Sequence, residues 1–84
     1  MNHQFTKLAK AANALSEVRT VLTKLALKDN ITIRHAYVKN AATLPIIGQL
    51  RSAMDEMDDG ERASVMEQLE NILNSQPRGE QNEY

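Results

Sequence analysis

The chain has 84 residues, 42% of them hydrophobic and 4% aromatic, no cysteine, and a formal net charge of −1. That is the size of one small domain, and the lack of cysteine excludes disulfide staples and thiolate metal sites. No apolar run approaches the roughly 20 residues that span a bilayer, so the expectation is a soluble, cytoplasmic protein with no membrane partner.

The first predicted element is a helix over about residues 4–28. Leu8, Ala11, Leu15, Val18, Leu22 and Leu25 recur at alternating steps of three and four, a heptad seam. Phe5, Ala12 and Val21 widen it, while Lys7, Lys10, Asn13, Glu17, Thr20 and Lys24 occupy the other face. The segment is alanine-rich and free of glycine and proline, so intrinsic propensity agrees with the pattern. A helix of that span is about 37 Å long, more than so small a chain easily covers alone. Leu8, Leu15, Val18, Leu22 and Leu25 are therefore expected to serve as core and as the seam of a symmetric homodimer.

Lys28-Asp29-Asn30 closes this helix, because Asn tolerates the left-handed conformation and Lys28 suits the negative end of the dipole. The alternation at Ile31-Thr32-Ile33 fits a short strand, but a lone strand with no partner would leave its ladder groups unpaired. A helix over about residues 33–42, capped by Thr32, is the reading preferred here. Residues before proline avoid helical geometry, so Leu44 marks a break. The third helix then runs over about residues 45–57, with Thr43 as a fair cap and Gly48 inside it. Asp58 and Glu61 have capping-box spacing at the head of a fourth helix over about residues 60–74. Residues 1–76 form a single all-α domain on this reading, a bundle of three to four helices with a long N-terminal one. Residues 77–84 form a polar tail expected to be disordered.

Catalytic chemistry finds little to build on. His3 and His35 are far apart, and neither is followed by a metal-ligand spacing. A calcium loop started at Asp55 would need oxygen ligands where Met57 and Met66 stand. The serines carry no nucleophile signature, and three isolated glycines make no phosphate loop. The carboxylates lack a pocket that would separate their pKa values. No catalytic residue, metal ligand or cofactor site is assigned, and an enzyme is not expected.

The charge is unevenly placed. Residues 1–51 carry a net +6, and residues 52–84 carry a net −7. Such a split marks either a polyanion-binding half or two halves that neutralise each other. Residues 22–40 overlay a degenerate helix-turn-helix whose second helix presents Arg34, His35, Lys39 and Asn40, residue types that contact phosphates and base edges. Asp29 stands where that motif usually keeps an apolar residue, and the glycine-like turn slot is Asn30. Glu61, Glu67 and Glu70 form an acidic face that fits a protein partner. The leading expectation is a non-enzymatic helical regulator or adaptor that binds another protein. The alternative is a dimeric DNA-binding regulator acting through Arg34, His35, Lys39 and Asn40. Small size, a cysteine-free helical pattern and no catalytic signature are common among small bacterial and phage regulators, a likeness of class and not of family.

Overall fold

A computed structural model describes the backbone of residues 3–77 and the side chains of residues 7–77. The chain folds into four helices: α1 (His3–Asp29), α2 (Ile33–Asn40), α3 (Pro45–Asp55) and α4 (Asp59–Leu73). There is no strand among the described residues. The all-α bundle with a long N-terminal helix read from the sequence is the fold of the protein. Phe5's side chain and residues 78–84 of the expected tail lie outside what is described.

Local chemistry sets each boundary. Asn30 closes α1 in the left-handed region, at φ 57°. The Ile31 amide then reaches back to the Ala26 carbonyl at 2.9 Å, the wide bond of a Schellman motif. Thr32 caps α2, its hydroxyl accepting the His35 amide at 2.9 Å. That cap decides the segment for helix over strand. α2 ends at Asn40, two residues before the expected boundary, and in the turn that follows the Thr43 and Leu44 amides both donate to the Asn40 carbonyl. Leu44 is extended (φ −82°, ψ 117°), as the residue before Pro45 must be, and it leads α3 without a side-chain cap. Thr43, expected as that cap, instead donates its hydroxyl to Asn40 and helps close α2. At α4 the full capping box forms: Asp58 accepts from the Glu61 amide at 2.8 Å, and Glu61 accepts from the Asp58 amide at 3.1 Å.

One side of α1 carries the core. Ala11, Ala14, Leu15, Val18, Leu22 and Ala26 are buried there against Ile33 and Ala36 of α2, Ile46, Ile47, Leu50 and Ala53 of α3, and Val65, Leu69 and Leu73 of α4. Met57 lies just past the end of α3 and is buried with them. The longest contact is between α1 and α3, while α4 spreads its contacts nearly evenly over the other three helices. Three members of the seam, Leu15, Val18 and Leu22, are thus used inside the chain's own fold. Leu25 is half-buried, and Leu8 is 43% exposed. At the C-terminal end of α1 the deeper position is Ala26, beside Leu25. The result is a slab with extents of 41, 31 and 18 Å. Its length is that of α1, about 40 Å for a helix of this many residues.

Candidate functional site

Side chains that carry charge are divided between those the fold uses and those it leaves outward. Lys7 bridges three helices. Its ammonium donates to the Glu56 carbonyl at the end of α3, at 2.8 Å. The same group lies 3.8 Å from the Glu61 carboxylate at the head of α4, with both side chains mostly buried. Arg62 folds back from α4 and donates to the Met54 and Met57 carbonyls, at 3.2 and 2.8 Å. It thereby adds a side-chain donor to carbonyls at and just beyond the end of α3.

The residues singled out for nucleic-acid or partner contact all lie on α2, where Arg34, His35 and Lys39 are exposed and Asn40 is half-buried. The functional groups of Arg34, Lys39 and Asn40 are nonetheless engaged within the chain. The Arg34 guanidinium donates to Glu70 at 2.7 Å and to Asn74 at 2.8 Å, tying α2 to α4. This charge-assisted bond holds the Glu70 carboxyl below the usual carboxylate range and raises Arg34 above its own. Lys39 sits 3.4 Å from Asp29 at the end of α1. Asn40 donates its amide to the Ala36 carbonyl at 2.9 Å, within its own helix. His35 is exposed, and no hydrogen bond to its ring occurs among the described residues. The link between α1 and α2 is short, as a helix-turn-helix needs, yet the second helix presents few free donors.

The acidic face divides in the same way. Glu61 is committed to the capping box and to Lys7, and Glu70 to Arg34. Glu67 is exposed and has no ion-pair partner among the described residues. The positive half of the chain therefore reaches the negative half at two points, Lys7 with Glu61 and Arg34 with Glu70. Lys10, Arg19, Lys24, Lys28 and Arg51 remain exposed and without an ion pair among the described residues.

A groove that sequence reading missed runs between α1 and α3, with a volume of about 710 Å³. One wall is the α1 stripe Lys10, Asn13, Ala14 and Glu17; the other comes from α3, with Pro45, Gly48, Gln49, Ser52 and Ala53, and from Glu56 just beyond it. Lys7 at the start of α1 touches Glu56 at the end of α3, so the two helices run antiparallel along it. The sequence shows the stripe as an ordinary polar face; only the placement of α3 turns it into a wall. Charges of both signs line the groove, and no histidine does. Among the described residues no three metal-ligating side chains cluster, and no helix is long and apolar enough to cross a membrane. Compared with known protein families, with curated proteins and with solved structures, the chain matches none.

Proposed function

We propose that this chain is a non-enzymatic helical binding protein of the cytoplasm, a regulator or adaptor that works as a symmetric homodimer and engages another protein rather than nucleic acid. The observation that carries this reading is the engagement of Arg34 and Lys39. A helix that reads DNA needs its cations free for phosphates and base edges. Here Arg34 is held by Glu70 and Asn74, and Lys39 by Asp29. Binding a phosphate backbone would first have to break pairs that hold α2 in place.

The homodimer draws support from shape. The radius of gyration is 13.5 Å, against about 12 Å for a compact domain of this length. A slab 18 Å thick is about two helix layers and has broad faces to pair. The cations left over on α1 and α3, with Glu67 on α4, supply opposite-sign surfaces of the kind that steer protein encounter.

Recovery of the tagged chain from native cell extract, with and without nuclease, separates protein from nucleic acid as the partner. A stoichiometric protein that stays bound after nuclease treatment, and that rebinds the purified chain, is the expected result. Recovery that disappears with nuclease, and weakens in Arg34→Ala, would overturn the reading in favour of a DNA-binding regulator.

A further inference from the structure

Gly48 has no explanation inside its own chain. It lies within α3 at a negative φ, so no backbone conformation demands glycine, and a Cβ placed on it would meet nothing within 4 Å. Glycine weakens a helix relative to alanine, and its usual compensation is the close approach of another backbone. No backbone of this chain makes that approach. The open side of Gly48 faces the α1–α3 groove, whose other wall carries Lys10 and Glu17 two helical turns apart, with Asn13 and Ala14 midway between them. Neither Lys10 nor Glu17 has an ion-pair partner among the described residues.

That arrangement is complementary to itself. A two-fold axis passing between Asn13 and Ala14 sets α1 antiparallel to its copy. It brings Lys10 against Glu17 of the partner subunit and Glu17 against Lys10 of the partner subunit, as an isologous contact requires. The copy's α1 then lies over the groove, where Gly48 and Ser52 present the least bulk on α3. From the charge order along the stripe and the unexplained glycine, we infer that the occupant of this groove is a second copy of the chain, docked antiparallel through α1. This rests on the homodimer reading and places its interface at the groove rather than at the leucine seam.

Charge reversal in sedimentation equilibrium over a wide concentration range tests it. Wild type should dimerise. Lys10→Glu sets two glutamates against each other at both ends of the contact, and Glu17→Lys sets two lysines. Each should weaken self-association by at least about tenfold, since like charges face to face are strongly disfavoured. An equimolar mixture of the two variants should recover a dimer of mixed composition, because every facing pair is again opposite in sign. The double variant should recover one as well. Gly48→Leu should lose the dimer while keeping its helical circular dichroism, since its Cβ has nothing within 4 Å in its own chain. A wild-type dimer indifferent to all of these changes overturns the groove assignment and leaves the homodimer standing. A wild type that stays monomeric throughout overturns both.

Discussion

Arg34 and Glu70 stand 36 positions apart in sequence and 2.7 Å apart in the fold, and their contact joins the positive half of the chain to the negative half. It holds the short α2 against α4 at a point where the two helices share few other contacts. It also engages, at the exposed surface, the cation most suited to bidentate recognition of a phosphate or a guanine edge.

Glu70 should titrate below an ordinary glutamate, and Arg34→Ala should return it to the ordinary range, as read by the carboxyl carbon shift in an NMR titration. The sign of the linkage follows from that depressed value. The pair's contribution to stability is present above the unfolded carboxyl pKa and is lost as pH falls through the lower, folded one. The denaturant midpoint should therefore fall more steeply in acid for wild type than for Glu70→Gln. Equal acid slopes would mean that the pair does not persist in solution.

Removing either N-cap should cost about 1 kcal/mol. Thr32→Ala leaves the His35 amide without its acceptor, and Asp58→Ala removes the side-chain arm of the capping box at α4, leaving the Glu61 amide without its acceptor. The two sites lie on different helices and share no partner, so the double variant should lose about the sum. Urea unfolding of the three variants checks this.

These caps, with Asn30 and the restart at Pro45, were legible from sequence because each depends on residues within four positions of one another. The helical faces were legible for the same reason, through their periodicity. What the sequence could not show is which distant groups meet. Arg34 looked like a contact for DNA because nothing in its neighbourhood reveals Glu70 and Asn74. Lys10, Asn13 and Glu17 looked like a solvated face because α3 had yet to be laid alongside. A heptad pattern continues to Leu8 and Leu25 whether or not other helices extend far enough to cover them, and here cover is complete only from Ala11 to Leu22 and at Ala26.

Leu22→Ala should destabilise the fold by about 2–5 kcal/mol, the cost of a cavity at a fully buried leucine. Leu27→Ala, on the same helix but 49% exposed, should change stability by no more than about 0.5 kcal/mol. Chemical denaturation of both separates the intramolecular core from the outer face of α1. A large loss at Leu27 would place a second interface there.

Gly48→Ala should stabilise the fold by roughly 0.5–1 kcal/mol through helix propensity, because the added methyl meets nothing in its own chain. A thermal melt at a concentration low enough to keep the chain monomeric reads this directly. A loss of stability would mean that α3 needs glycine for its own packing.

On the proposed reading, Arg34 and Lys39 of α2 serve contacts inside the chain and the cations left exposed on α1 and α3 do not hold a polyanion. A mobility-shift titration of the intact chain on generic duplex DNA, at about 50 and 200 mM salt, tests that claim most directly. The expected result is no shift at micromolar protein at the higher salt, with a gain in binding when Glu61, Glu67 and Glu70 are changed together to glutamine and Lys7 and Arg34 are released. Tight binding by the intact chain, steeply weakened by salt and reduced in Arg34→Ala and Lys39→Ala, would contradict it.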